Sequence, residues 1–162
     1  MTQTVDLDSF KTAMGRLATG VSVVTAESSK GEKFGLTASS VTSLTAEPPS
    51  LLVCVHKETG TRDAIAESGY FAVHIMGEDQ ADLAMHFAKP NPDKFAGLEL
   101  EVGEQGTPLL TDYFVRIECK VAQESIGGTH SIFMGEMLKV EVKEKDPLLH
   151  FQGKFGQFNP LS

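Results

Sequence analysis

The chain is organised around one stretch, Phe34-Gly35-Leu36-Thr37-Ala38-Ser39-Ser40-Val41-Thr42-Ser43. It begins like a β-strand, with the apolar Phe34 and Leu36 on one face, and it ends in a cluster of small and hydroxyl-bearing residues. The N–H groups and hydroxyls of that cluster would be accessible to an anionic or heteroaromatic ligand. Ordinary turns and edge strands contain the same residue types, so the flanking segments decide between the two interpretations.

Composition limits the classes of partner. The 162 residues carry 22 acidic and 14 basic side chains, which gives a net charge of −8. Without a run of Lys or Arg, this balance argues against nucleic acid or an anionic membrane as a partner. The length fits one domain over residues 1–162, whose core needs neither a disulfide nor a metal. An anionic ligand would therefore require a locally built site.

Two further features bear on location and on metals. Residues 1–10 show no basic region followed by an apolar run, and the longest apolar run, residues 51–55, is too short to cross a bilayer. We therefore expect a cytoplasmic protein. Cys54 and Cys119 lie far apart in apolar sequence, without a CxxC pair or a histidine at metal-ligand spacing. This pattern predicts two reduced cysteines and no metal site.

Hydrophobic periodicity predicts a mainly β chain with a few short helices. The predicted helices are one capped by Asp8 and ending near Thr19-Gly20, one over residues 62–68 capped by Thr61 and ended by Gly69, and one over residues 79–87. The predicted strands cover residues 21–26, 33–39, 51–55, 70–76, 114–125 and 131–143, with one more within residues 148–158. Residues 88–96 are predicted to form a loop. Six or more strands joined mostly by hairpins favour a closed or partly closed antiparallel barrel.

Several short motifs occur in a recognisable order. They are Phe10 with Met14, Ala18-Thr19-Gly20-Val21-Ser22-Val23-Val24-Thr25, Gly35-Leu36-Thr37-Ala38-Ser39-Ser40, Pro48-Pro49, Leu52-Val53-Cys54-Val55, Phe71-Ala72-Val73-His74-Ile75, Leu83-Ala84 with Phe87-Ala88, Lys94-Phe95-Ala96-Gly97 and His130-Ser131-Ile132-Phe133-Met134-Gly135-Glu136-Met137. With these motifs the chain resembles, nearly end to end, the short-chain flavin reductase family, whose members supply reduced flavin to two-component monooxygenases. The resemblance implies a six-stranded antiparallel Greek-key split barrel with a few short helices. It also implies a homodimer that binds FMN or FAD near the subunit interface, uses NADH or NADPH as hydride donor and serves a separate oxygenase.

Hydride transfer between two stacked rings needs positioning rather than a nucleophile or a metal, so no catalytic side chain is predicted. The residues predicted to line the flavin ring and ribityl chain are Thr37, Ala38, Ser39, Ser40, Cys54 and Val55. Those predicted to hold its phosphate at a helix N-terminus are Lys57, Thr59, Gly60 and Thr61. Those that could reach the flavin from either subunit are Phe87, Ala88 and Phe95, with Lys94 beside them. Cys54 could equally be a core residue, and Thr61 could be a helix cap alone.

His130 and Phe155 are the predicted NAD(P)H-binding residues. The sequence departs from the usual family pattern at both places. Thr129 stands where the family often has an aspartate before the histidine, and Phe155 stands where it commonly has a tyrosine. His130 could instead be a solvated turn residue, and Phe155 could pack the core. Recognition of NADPH usually requires an arginine near its ribose phosphate. No arginine falls near His130 except Arg116 on the preceding strand, so NADH is favoured over NADPH. The other four histidines, His56, His74, His86 and His150, are expected to be structural.

Two other functions fit the same fold. One is a flavin- or haem-binding sensor or carrier without nicotinamide turnover. The other is an oxidase or reductase acting on a different small molecule, as pyridoxamine phosphate oxidases do. The glycine-rich turn before His130 argues against a pure binder, and the scarcity of Arg and Lys in the central stretch argues against a phosphorylated second substrate. No G-x-G-x-x-G motif follows a strand, so a dinucleotide would bind folded over the flavin.

Overall fold

The computed structural model describes residues 2–162 and contains three α-helices and twelve strands in three sheets. The helices are α1 (Leu7–Gly15), α2 (Gly60–Ser68) and α3 (Ala81–Ala88), the last preceded by a 3-10 turn at Glu78–Gln80. The strands are β1 (Thr19–Gly20), β2 (Ser22–Glu27), β3 (Lys33–Ala38), β4 (Val41–Ala46), β5 (Pro49–His56), β6 (Tyr70–Ile75), β7 (Leu100–Val102), β8 (Pro108–Leu110), β9 (Val115–Gly127), β10 (His130–Val142), β11 (Leu148–Phe151) and β12 (Lys154–Gln157).

The main sheet has seven antiparallel strands in the order β3-β2-β6-β9-β10-β5-β4. Strands β3 and β4 are consecutive in the chain but lie at opposite edges of this sheet. The corner that joins them closes against β5, because Ser40 Oγ donates to the Cys54 carbonyl (2.9 Å) and the Cys54 N–H donates to the Ser40 carbonyl (3.3 Å). The sheet therefore curls into a barrel that is split beside β3. The predicted mainly β split barrel is confirmed, with seven strands in the main sheet instead of six because β4 adds one.

The barrel core draws on nearly every strand of the main sheet. Side chains alternate along β5, so that Leu51, Val53 and Val55 are buried inside while Cys54 and His56 lie partly exposed on the outer face. The inward residues pack with side chains from β2, β3, β6, β9 and β10 in one cluster. A second cluster, outside the barrel, packs α3 and β8 against β2. This second cluster supports the wall beneath the central stretch Phe34–Ser43.

Two helix caps differ from the sequence prediction. Helix α1 is capped by Asp6, whose carboxylate accepts the Ser9 N–H at 2.7 Å, and not by Asp8, which lies in its first turn. Helix α2 is capped by Thr59, whose hydroxyl accepts the Arg62 N–H at 3.2 Å. A cap requires extended backbone one residue before the helix, and Thr59 has it. Thr61 is buried inside the first turn instead, while α2 ends at Gly69 as predicted.

The remaining differences concern short elements. The β9–β10 hairpin is confirmed, and its turn is Gly128-Thr129. The segment after residue 147 forms two strands rather than one, and these pair with each other and with β1. Helix α3 begins two residues later than predicted because the 3-10 turn precedes it. Within residues 2–162, no helix is both long and apolar enough to span a bilayer, and no cluster of three His, Cys, Asp or Glu side chains is arranged to hold a metal ion.

Candidate functional site

The corner between β3 and β4 carries the hydroxyls predicted to contact a ligand. Thr37 is partly buried, and its hydroxyl donates to the Ala84 carbonyl of α3 at 2.5 Å. Ala38 points into the core, whereas Ser39 and Ser40 are exposed. Exposed backbone and side-chain groups are therefore concentrated at Ser39 and Ser40.

The neighbouring strand β5 places the two predicted ligand residues on opposite faces. Val55 is 1% exposed and belongs to the core, so its side chain cannot contact a ligand on the outer face. Cys54 lies on the outer face, bonded through its backbone to Ser40 and paired in register with Ile132 of β10. The corner and Cys54 thus form one continuous surface, to which Val55 contributes backbone only.

The turn from β5 into α2 leads into the N-terminus of a helix, where a phosphate was predicted to bind. The Thr59 hydroxyl donates to the His56 carbonyl at 2.8 Å while accepting the Arg62 N–H, so the turn is fixed from both sides. The first N–H groups of a helix have no intrahelical acceptor, and they carry the positive end of the helix dipole. Gly60 and Thr61 occupy these first positions, and Lys57 lies exposed just before them.

This helix terminus opens onto a groove of about 530 Å³, which we call the inner groove. It runs between β3 and the loop after α3. Its lining residues are Lys33, Phe34, Gly35, Leu36, Glu58, Thr59, Gly60, Thr61, Pro90, Asn91, Pro92, Lys94 and Phe95. Three predicted phosphate ligands are therefore brought together with the predicted aromatic Phe95. The corner residues 37–40 continue along β3 beyond Leu36, at the edge of the groove.

Two aromatic side chains behind the groove have different roles. Phe87 is fully buried, and its ring packs edge-on against the Phe95 ring at 5.3 Å between centroids. Its ring also lies against Gly35, where an added Cβ would be 2.8 Å from Phe87 Cε1. Phe87 therefore supports the groove wall from behind, and Phe95 forms the surface. Ala88, at the end of α3, is exposed outside the groove lining.

Lys94 ties the loop after α3 to the barrel. Its ammonium donates to the Gly35 carbonyl at 3.0 Å and to the Phe87 carbonyl at 2.8 Å. Burial lowers the pKa of Lys94, because desolvation disfavours its charged form. The half-buried cation faces the same groove as the N-terminus of α2.

His130 lies beside the turn from β5 into α2, which the sequence alone does not reveal. It pairs in register with His56, and the two rings meet edge to face at 5.2 Å. The Thr129 hydroxyl and His130 Nδ1 are 2.9 Å apart, and the Lys57 N–H donates to the Thr129 carbonyl at 2.9 Å. His56, expected to be structural, is therefore the immediate neighbour of His130.

A second connection joins α2 to the β9–β10 hairpin. The Arg62 guanidinium donates to Glu124 (Nη2 at 2.6 Å and Nε at 3.0 Å), and the Ser131 hydroxyl donates to the same carboxylate at 2.7 Å. Sequence reasoning missed this trio, because its members are distant in the chain and each is an ordinary polar residue.

Phe155 lies apart from His130. It is half-buried on β12 and packs on the second hydrophobic cluster. Its ring meets the His150 ring edge to face, with 6.0 Å between the two centroids. His130 has its own ring partner in His56. Among residues 2–162, no hydrogen bond or ring contact joins the two predicted donor-binding residues.

A family profile described as "flavin reductase like domain" matches residues 14–159, almost the whole chain. The chain belongs to this flavin reductase family. A flavin reductase family relative, the reductase component of the 4-nitrophenol 4-monooxygenase/4-nitrocatechol 2-monooxygenase of Rhodococcus opacus, is 39% identical over 158 residues, which is 98% of this chain and 84% of the relative. An FMN reductase (NADH) of Agrobacterium fabrum is 34% identical over 151 residues, covering 93% of this chain and 86% of the relative. The crystallised NADH:FAD oxidoreductase of Streptomyces globisporus superposes with a TM-score of 0.88 at 32% identity, covering 99% of each chain.

The residues present fit the flavin that this family implies. A flavin nucleotide combines a flat apolar ring with a polar edge, a polyol chain and a phosphate. The groove offers the free N–H groups at the start of α2 for the phosphate, and the half-buried Lys94 ammonium adds a cation elsewhere in its lining. The exposed corner at Ser39 and Ser40 offers polar groups for the ring edge. The two sets are adjacent along β3, so a single ligand could contact both.

Proposed function

We propose that this protein is an NAD(P)H-dependent flavin reductase, a single domain over residues 1–162 that transfers a hydride from NADH to FMN or FAD. The observation that carries the proposal is the inner groove, where the N-terminus of α2 lies across from the strand that leads to the exposed corner at Ser39 and Ser40. The named activities of the flavin reductase relatives support the same reaction. The reduced flavin leaves for a separate oxygenase, as the reductase component of R. opacus indicates by its name.

Each group has a distinct task in this proposal. A bound flavin supplies the ring that accepts the hydride. The N–H groups of Gly60 and Thr61, with Lys57, bind its phosphate. The corner at Ser39 and Ser40, with the backbone of Cys54, orients the ring, and N–H groups aimed at its polar edge stabilise the negative charge that reduction places there. His130 contacts the nicotinamide donor in this proposal, and the hydrogen bond between Lys57 N–H and the Thr129 carbonyl supports a donor site next to the flavin site.

NADH is the proposed donor in preference to NADPH. Arg116, the one arginine considered for a ribose phosphate, lies at the end of β9 opposite to the His130 turn. It is 5% exposed, and its guanidinium donates to Glu101 (Nη2, 2.8 Å) and Glu141 (Nε, 2.8 Å). An arginine with two carboxylates is already neutralised. It is therefore not available for a 2′-phosphate beside His130.

A homodimer in the cytoplasm is part of the proposal. Helix α1 buries none of its residues within one chain, and its Phe10 and Met14 are 55% and 48% exposed. Leu138 and Val140 on β10 are about half exposed as well. Apolar surface of this extent favours contact with a second copy. Cys54 and Cys119 are both free, which suits a reducing compartment.

The direct test is NADH oxidation by the purified protein, followed at 340 nm, with no flavin, riboflavin, FMN or FAD added. We expect oxidation that depends on added flavin and saturates with it, and a lower rate with NADPH. A protein that binds flavin yet consumes neither NADH nor NADPH would contradict the reductase proposal and favour the sensor or carrier function. Sedimentation velocity on the same sample tests the dimer.

Gly60 offers a specific test of the phosphate site. A Cβ at this position would overlap the Phe34 ring, which forms the groove wall, so the G60A variant must displace that ring. Because displacements of about 1 Å at a binding site cost up to about 100-fold in rate, we expect the flavin KM to rise about tenfold. The KM for NADH should change less than twofold. The control is G15A, since Gly15 has open space around its Cα.

A further inference from the structure

A second groove of about 550 Å³ continues outward from the inner groove, and we call it the outer groove. The two grooves share five lining residues, Lys33, Phe34, Pro92, Lys94 and Phe95. A ligand anchored at the N-terminus of α2 can therefore extend into the outer groove without leaving the surface. The phosphate site proposed above accounts for the inner end and leaves the outer groove without a function.

Lys94 stands at the junction of the two grooves. An ammonium has three donors, and two of them are used by the carbonyls of Gly35 and Phe87. Among residues 2–162, no carboxylate lies within 4.0 Å of its Nζ. A partly buried cation that lacks a counter-ion is costly, and its lowered pKa reflects that cost. An anion at this junction would complete its coordination.

The chemistry of the outer groove is suited to a nucleoside. Phe34 and Phe95 present aromatic side chains at its inner end, and both are partly buried. Aromatic side chains stack on nucleobases whatever the base, because every base has a π-face. Glu32 and Asp93 lie at the rim, where carboxylates accept hydrogen bonds from ribose hydroxyls and repel an additional phosphate.

We propose that the outer groove binds the adenosine monophosphate half of FAD, with Lys94 on its second phosphate, so that this protein uses FAD in preference to FMN. This inference rests on the proposed function. FMN ends at the phosphate held by α2 and gains nothing from Lys94 or from the aromatic pair. Family membership leaves the choice open, because the relatives include both an FMN reductase and an NADH:FAD oxidoreductase.

The test is equilibrium binding of riboflavin, FMN and FAD to the protein, followed by flavin fluorescence. We expect FAD to bind at least tenfold more tightly than FMN. In the K94M variant the affinity for FAD should fall at least tenfold, while that for FMN changes less than twofold. The matched control is K89M, which removes the same charge from the same loop outside both grooves, and it should retain the wild-type ratio.

A second measurement does not depend on the folding of K94M. ADP carries the adenosine and both phosphates without the flavin ring, so it should compete with FAD on the wild-type protein and leave riboflavin binding unchanged. Equal affinity for FMN and FAD, an equal loss of both flavins in K94M, or the absence of competition by ADP would overturn this inference and leave the reductase proposal intact. Absence of any flavin binding or flavin-dependent NADH oxidation would instead overturn the proposed function.

Discussion

The G135A variant is expected to unfold with a free energy about 1–3 kcal/mol lower than wild type, because overpacking a closed core costs this much. Gly135 lies on β10 against the core, where an added Cβ would be 2.5 Å from Phe71 Cζ and 3.0 Å from Cys119 Cβ. Neither neighbour can yield easily, since Phe71 is fully buried and Cys119 is 1% exposed. The position also coincides with a shift in the β9–β10 register after Met134, so backbone displacement would propagate along both strands.

Urea unfolding followed by circular dichroism measures this loss. The control is G156A on β12, which has open space at the corresponding atom and should change stability by less than about 0.5 kcal/mol. The double variant F71L/G135A should regain part of the loss, because the smaller side chain vacates the space that the new methyl group needs. Equal stability of G135A and wild type would show that the core around Phe71 is not closely packed.

The second large effect is a loss of stability in acid caused by His74. This side chain is fully buried, its Nδ1 donates to the Val23 carbonyl at 3.1 Å, and its Nε2 accepts the Leu110 N–H at 3.0 Å. One neutral tautomer satisfies both bonds, and protonation of Nε2 would set two N–H groups against each other. Burial, with a smaller contribution from the nearby Arg116 cation, lowers the pKa of His74 from 6.5 to about 4.

The pKa of His74 is lower in the folded protein than in the unfolded chain. The contribution of neutral His74 to stability is therefore fully present above pH 6.5 and is lost as the pH falls towards 4. The difference corresponds to about 3 kcal/mol. Urea unfolding at several pH values should show that the H74Q variant, which has no titrating ring, loses about 3 kcal/mol less than wild type between pH 6.5 and 4. Acidic side chains contribute equally to both proteins, so the comparison isolates His74. Parallel curves would contradict the assigned pKa.

Local sequence patterns predicted the elements that are defined by their own residues. The β-branched run of β2, the apolar run of β5 and the two long arms of the β9–β10 hairpin were all predicted, as was the end of α2 at Gly69. Strand β4 was not predicted, because the polar and apolar residues of 41–46 do not alternate; five of the six are exposed. Its extended conformation comes from pairing with β5, and no local signal carries that information.

The features of the candidate site likewise divide into those predicted from local sequence and those that depend on the tertiary structure. The helix that begins after Thr59 was predicted, although its cap is Thr59 and not Thr61; the phosphate site of Lys57, Thr59, Gly60 and Thr61 stays a prediction. Sequence could not tell that Val55 faces the core while Cys54 faces outward, because that depends on which face of β5 the barrel covers. Nor could it show that Phe87 lies behind Phe95, since both are aromatic residues at the edges of one loop.

By itself the sequence determined the periodicity of the strands, the end of α2 at Gly69, the acidic balance and the family, because these depend on neighbouring residues or on the order of motifs. Only the tertiary structure decided that His56 meets His130 and that Glu124 joins Arg62 to Ser131. It also decided that, among residues 2–162, no carboxylate lies within 4.0 Å of Lys94 Nζ. These contacts join residues far apart in the chain. Their energies depend on distance, burial and the absence of competing partners, and those quantities exist only once the barrel has closed.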